Sequence, residues 1–274
     1  KMKQLGLNGF SLKNKGSAVR FCLWPQMALL KLNHLKNKYS LDIKKIAHVG
    51  AHRGQEVEEY KDNFPEVEIY LFEPQLNLFG YLQEKFKTDK NIHLHNYALG
   101  SQKDSSSMFM SNNDGQSSSF YKPKHHLIEH PEVKFRDEEQ IFEIKVFDDL
   151  GINDIDFLNI DTQGFEMEVL KGSVDTLKKS VKYLILEVNK KELYEGCPHV
   201  KDIDTFLNNY GFIRTDTHYW MDSHSWGDAF YIKKELISFK RLMFSVIKNY
   251  FYGIEFLYKF LIIIRNVLWN INNK

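Results

Sequence analysis

Between residues 44 and 234 short apolar runs alternate with stretches of helical length, and this alternation constrains the fold more than any other feature. "KKIAHVGA" reads as a strand, 54–63 as a helix stopped by Pro65, "EIYLFEP" as a second strand, 75–87 as a second helix and "NIHLHNYALG" as a third strand. Farther on, "IFEIKVF", the buried "IDFLNID", a helix over 164–180, "VKYLILEV" and a helix over 200–210 continue the rhythm. Strands separated by helices of this length pair in parallel through right-handed crossovers, the doubly wound α/β architecture. "FIRTDTHYWM" and "WGDAFYIKK" are joined by a turn too short for a crossover, so they should close the sheet as an antiparallel hairpin.

Three parts follow from this reading: a basic, helical extension over 1–43, a main domain over 44–234, and a tail over 235–274. The helix of the extension is expected over 26–39. Inside the domain, 101–140 is rich in serine, asparagine and charge, with one strand expected over 105–110. A long irregular insertion in a compact α/β fold serves as a lid or binding loop more often than as filler. The tail, projected at helical period, gathers Arg241, Lys248, Glu255, Lys259, Asn266 and Asn270 on one stripe and is otherwise apolar. Such a surface must be covered, by a membrane interface, by a second subunit or by the chain's own first helix.

Thirty-seven basic residues against 36 acidic ones leave a formal charge of +1, which provides no global field for nucleic acid. The two cysteines, Cys22 and Cys197, belong to no metal-binding spacing and suit a reducing compartment. The basic start of the chain leads only into a short apolar patch closed by Trp24-Pro25, unlike a secretory signal. A cytoplasmic protein, peripheral to a membrane if the tail binds one, is the expectation.

The chemistry should gather at the carboxyl ends of the strands. Gly50 ends the first strand and Gly54 opens the helix, in a G-x-x-x-G loop. The missing side chain lets a ligand approach the backbone, but the spacing does not match a pyrophosphate loop. Glu73 ends the second strand about 20 residues later, placed to accept hydrogen bonds from a ribose, and Pro74 starts the next helix. Asn96 and Ala98 at the end of the third strand would flank an adenine ring. Asp161 and Glu187 end adjacent strands and should be neighbours, a pair able to act as base, proton acceptor or metal ligands. Alternatively, Asp161 caps the helix beginning near Gly164. Glu166 and Glu168 are expected as surface charges in the first helical turns. His126 and His130 fit H-x-x-E-H, but Pro131 disfavours the helical geometry that a zinc site needs. Substrate contact or a solvated lid is the better reading of these insertion histidines.

Taken together, "HVGAHRGQE", "LFEP", "NYALG", "DFLNIDTQGFEMEVLKG", "LILEVNKKELYEGC" and "WGDAFYIKK" resemble the FkbM-type S-adenosylmethionine (SAM) methyltransferases over residues 44–234. The resemblance implies a class I methyltransferase (Rossmann-like) fold: a mostly parallel seven-stranded sheet with an antiparallel terminal hairpin, here with added N- and C-terminal helices. It implies methyl transfer to a hydroxyl, often on a saccharide. It also implies that Gly50, Ala51, His52 and Gln55 face the methionine part of SAM, Glu73 and Pro74 the ribose, Asn96 and Ala98 the adenine. Asp161 borders the same cofactor, and Asp161 and Glu187 are the catalytic candidates, directly or through a divalent ion. His125, His126 and Asn189 are expected to meet the acceptor. His48 stands where many relatives carry an acid for the cofactor's ammonium, so Asp161 takes over that task or the methionine end is bound otherwise. An NAD-dependent oxidoreductase would share the strand-loop-helix and Glu73, though not the terminal hairpin. A catalytically idle module held by its tail is the remaining alternative.

Overall fold

The computed structural model describes residues 30–219 and 225–250. The chain begins with α1 (Leu32–Tyr39), β1 (Lys45–Val49), α2 (Val57–Asn63), β2 (Glu68–Phe72), α3 (Leu76–Phe86) and β3 (Ile92–His95). β4 (Ala98–Leu99) comes next, and the insertion carries β5 (Asp104–Ser111), α4 (His126–Glu129) and the start of β6 (Phe135–Lys145). The second half consists of β7 (Phe157–Ile160), α5 (Glu166–Lys171), α6 (Val174–Lys179), β8 (Tyr183–Asn189), α7 (Val200–Asn209), β9 (Phe212–Tyr219), β10 (Trp226–Lys233) and α8 (Phe239–Tyr250).

Seven strands form one sheet in the order β3-β2-β1-β7-β8-β10-β9. The first five are parallel, and β10 runs antiparallel to both β8 and β9. Period-two alternation assigns side chains to two cores. Ala47, Val49, Leu158, Ile160, Leu184 and Leu186 pack on the face shared with α5, α6 and α7. Ile46, Ile69, Leu71, Phe157 and Ile185 pack on the other, under α1, α2 and α3. Every residue of β8 is buried, as a central parallel strand requires. The strand order reverses between β1 and β7, so the crevice at their carboxyl ends is where such a sheet binds a ligand.

Three local expectations change. The insertion is not irregular: β5 and β6 pair antiparallel, β4 adds in parallel, and the three form a second sheet, β4-β6-β5. The third strand accordingly divides after His95, with β3 in the large sheet and β4 in the small one. The helix over 164–180 breaks at Gly172, where a Cβ would lie 2.0 Å from the Gly100 carbonyl oxygen. Close backbone approach, not helix continuity, decides that position.

Of the extension, α1 is seen; residues 26–29 of its expected helix lie outside the described residues. Tyr39 Oη and Lys38 Nζ both reach the Asp216 carboxylate on β9, tying this helix to the far edge of the sheet. In the tail, Arg241 donates to the Lys38 carbonyl and Lys248 to that of Thr215, while Phe239, Met243, Val246 and Tyr250 are exposed. The first part of the polar stripe therefore faces the domain, because carbonyls there offer acceptors; the stripe beyond residue 250 lies outside the described residues. Among the described residues no helix is long and apolar enough to cross a membrane.

Candidate active site

A cleft of about 1020 Å³ opens at the carboxyl ends of β1, β2, β7 and β8. Gly50 forms its floor with φ +83°, and a Cβ there would lie 1.8 Å from the Asp161 carbonyl oxygen. The amides of Gly50 and Ala51 both donate to the Phe72 carbonyl at 3.0 Å. The loop thus turns sharply, as its missing side chain suggested.

Glu73 is buried at the end of β2. Its Oε2 accepts the His52 amide and its Oε1 the Gln75 amide, each at 2.9 Å. Asn96 lies behind this wall, donating its amide to the carbonyls of Glu73 and Pro74. Pro74 and Ala98 line the cleft. His52 and Gln55 also line it, joined to each other through Gln55 Nε2 and His52 Nδ1 at 3.0 Å. The other ring nitrogen of His52 donates to the Asp114 carbonyl at 2.9 Å, and the Arg53 guanidinium pairs with the Asp114 carboxylate. The tip of the insertion is therefore latched onto the glycine loop.

Burial raises the Glu73 carboxyl from an ordinary 4.5 to about 7, against the pull of the two backbone amides. The sign follows from linkage: this acid favours the folded state below 4.5, and that contribution is lost as pH rises through 7. A ribose seated on Glu73 would donate to the ionised form, so S-adenosylhomocysteine should bind about tenfold more weakly at pH 6 than at pH 8. Calorimetric titrations across this range check the slope, and Glu73→Gln should flatten it.

The register Ile160↔Leu186 sets Asp161 across from Glu187. Gln163 Nε2 stands between them, 2.7 Å from Asp161 Oδ1 and 2.9 Å from Glu187 Oε2. Asp161 is open to the cleft yet seated deep in the protein, because the cleft is a hole in the interior. Burial raises both acids, Glu187 further, because Asp161, Glu166 and Asp228 add their repulsion to its burial. Both carboxyls are therefore harder to ionise than free acids, Glu187 the more so.

Glu166 is not a surface charge. It is fully buried, and its Oε1 accepts the amides of Thr162 and Gly164, so Glu166 rather than Asp161 braces this turn. Glu168 is half-buried and paired with Lys171 and Ser101. His48 is buried, with its Nδ1 receiving the Tyr60 hydroxyl, and burial lowers it to about 4, leaving it neutral.

From the insertion, His126 and His130 line the cleft with ring centroids 4.9 Å apart. His125 instead turns to Lys191 and Glu129, outside the lining. Asn189 is buried beside the lining with both amide atoms unpartnered. The helix at the H-x-x-E-H sequence is one turn long, and His130 leaves it at φ −128°. Among the described residues no cluster of three or more His, Cys, Asp or Glu is arranged to hold a metal ion. Gln163, Glu56 and Asp228 are among the cleft residues that sequence reasoning passed over. Gln163 carried one usable signal, its place two residues after Asp161 at a strand end.

Eight acids but only one basic residue of the lysine or arginine type, Arg53, line the cleft among the described residues, and Arg53 is engaged by Asp114. That field suits a cationic ligand and opposes a pyrophosphate. With the sheet order and the acids at the strand ends, it defines a class I SAM-dependent methyltransferase. The methyltransferase FkbM domain profile matches residues 48–214, and the chain belongs to that family. The 2-O-methyltransferase NoeI of Sinorhizobium fredii (strain NBRC 101917 / NGR234) is 28% identical over 178 residues, covering 61% of this chain and 72% of its own. The crystal structure of methyltransferase FkbM from Methylobacillus flagellatus KT aligns with a TM-score of 0.49 at 13% identity, over 69% of this chain; the chain spans 43% of that structure's length. A SAM-dependent methyltransferase from Aquifex aeolicus aligns with a TM-score of 0.40 at 15% identity, over 73% of this chain and 88% of its own.

Proposed function

We propose that this chain is a SAM-dependent O-methyltransferase acting on a hydroxyl of a saccharide-like acceptor, with Asp161 as the proton acceptor. The observation that carries the reading is the Asp161–Glu187 pair, bridged by Gln163 in the cleft that Gly50 floors. The cleft fits SAM on its own chemistry: Gly50 admits close backbone approach, the Glu73 carboxylate faces it, and its acids match the cofactor's ammonium and sulfonium. SAM bound there supplies an electrophilic methyl group on a positively charged sulfur.

Glu73 accepts the ribose hydroxyls, while Glu56, which lines the cleft and lies within electrostatic reach of Asp161, makes up for the neutral His48 at the ammonium. Asp161 holds the acceptor hydroxyl and takes its proton as the new carbon–oxygen bond forms. His126 and His130 bound the acceptor side, and the buried, unpartnered Nδ1 of His126 offers a hydrogen-bonding position for a polyhydroxylated ligand. The reading needs no divalent ion, because the Gln163 amide already stands between the two acids. The name of the NoeI relative, a 2-O-methyltransferase, supports oxygen as the target.

The test is incubation with methyl-labelled SAM and a panel of mono- and oligosaccharides, followed by NMR of the product. Label in a new methoxy group is expected. Label on nitrogen or carbon alone would overturn the reading, and silence across a broad panel despite tight SAM binding would favour an idle module.

A further inference from the structure

We infer that Gln163 is a positioning residue that joins Asp161 and Glu187 into one proton-sharing pair, so that a sulfonium cofactor entering the cleft expels the shared proton and readies the base. The inference rests on the SAM reading above and deepens it by giving the bridging amide a role of its own.

A primary amide has two N–H groups at a wide angle, and Gln163 Nε2 contacts one oxygen of each acid at 2.7 and 2.9 Å. Its orientation is set from the other end. Tyr194 Oη lies 3.0 Å from Gln163 Oε1 and donates to it, and also reaches the Ser117 carbonyl at 3.0 Å. A flipped amide would turn its carbonyl toward the two carboxyl groups. The backbone is committed as well: Gln163 has φ +54°, a region a side-chain-bearing residue rarely adopts. Ser119 Oγ donates to the Gln163 carbonyl at 2.7 Å, which helps to hold that conformation. The fold thus maintains an uncommon backbone geometry that delivers one nitrogen between two acids.

The surroundings explain why a proton is shared. Glu56, Glu166 and Asp228 all act on the pair with negative charge, and the basic groups near Asp161 are His48 and His52. Neutral His48 contributes little compensation. Two ionised carboxylates on one nitrogen would repel, so the pair titrates as a unit, with the amide favouring its anionic form. A positive sulfur nearby favours that anion further. S-adenosylhomocysteine has the same shape without the sulfonium charge, which makes it the control.

Calorimetry of SAM and of S-adenosylhomocysteine, run in buffers of different ionisation enthalpy from pH 6 to 9, counts the protons released on binding. In the wild-type protein SAM should release protons that S-adenosylhomocysteine does not. Gln163→Met removes the donor, and the pH of half-maximal excess release should rise by about one unit. Gln163→Glu, close in shape, substitutes a third acid and should shift it further, which keeps the test decisive if the methionine variant fails to fold. An excess-release curve unchanged in a folded variant would overturn the inference, as would equal release with both cofactors in the wild type. Failure of a folded wild-type protein to bind either cofactor would overturn the SAM reading beneath it, a distinct result.

Discussion

Asp161→Asn should lower methyl transfer by about 10²–10⁴-fold while the protein still folds and binds S-adenosylhomocysteine, because it removes the proton acceptor and keeps the side-chain shape. The Gln163 amide can still donate to the asparagine oxygen, so the local turn survives. Glu187→Gln should have a smaller effect, about tenfold. Burial and the repulsion of Asp161, Glu166 and Asp228 push the Glu187 carboxyl well up, and glutamine resembles a protonated carboxyl more closely than a carboxylate. Turnover numbers for the two variants, with the acceptor found by the labelling screen, decide between the acids. The reverse order, with Glu187→Gln the more damaged, would transfer the role of base to Glu187.

The second large effect is expected at Gly50. An added methyl group would lie 1.8 Å from the Asp161 carbonyl oxygen, and φ +83° strains any side-chain-bearing residue. The obstacle is backbone, and it is held there: the Asp161 amide donates to the Val49 carbonyl at 2.9 Å, and the Gly50 amide donates to that of Phe72. Relief requires β1 and β7 to part at the rim where the cofactor sits. Gly50→Ala should therefore cost about 3–5 kcal/mol of stability, the range of severe core disruption, and abolish cofactor binding. Gly54→Ala makes the comparison: it shares the left-handed backbone strain at φ +61°, but its added carbon would meet the side chains of Phe86 and Leu82, which can shift. Thermal melts and calorimetry of both variants test the contrast; near-normal S-adenosylhomocysteine binding by Gly50→Ala would show that the rim yields.

Strand periodicity explains why much of this was readable beforehand. Ile46 and Ala47 are apolar on opposite faces, with Val49 following beyond His48, because β1 is covered on both faces, and the strand ends at Gly50 because the backbone turns there. Glu73 and Asp161 each follow an apolar run directly, so local pattern alone set them at the carboxyl rim. Glu166 shows the opposite case: an acid in a first helical turn ordinarily faces water, and only the inward path of the turn from Thr162 to Gly164 buries it. The insertion was misread as irregular because β5 carries a row of serines, whose pairing with β6 spans a sequence gap that local propensity does not see.

The order of elements, the glycine turn and the acids at the strand ends were determined by the sequence itself, since each depends on backbone geometry within a few residues. The tertiary structure decided that Gln163 lies between Asp161 and Glu187 and that Asp114 fastens onto His52 and Arg53. Those contacts join residues far apart in the chain, and a hydrogen bond closed by folding leaves no periodic trace in either partner's neighbourhood.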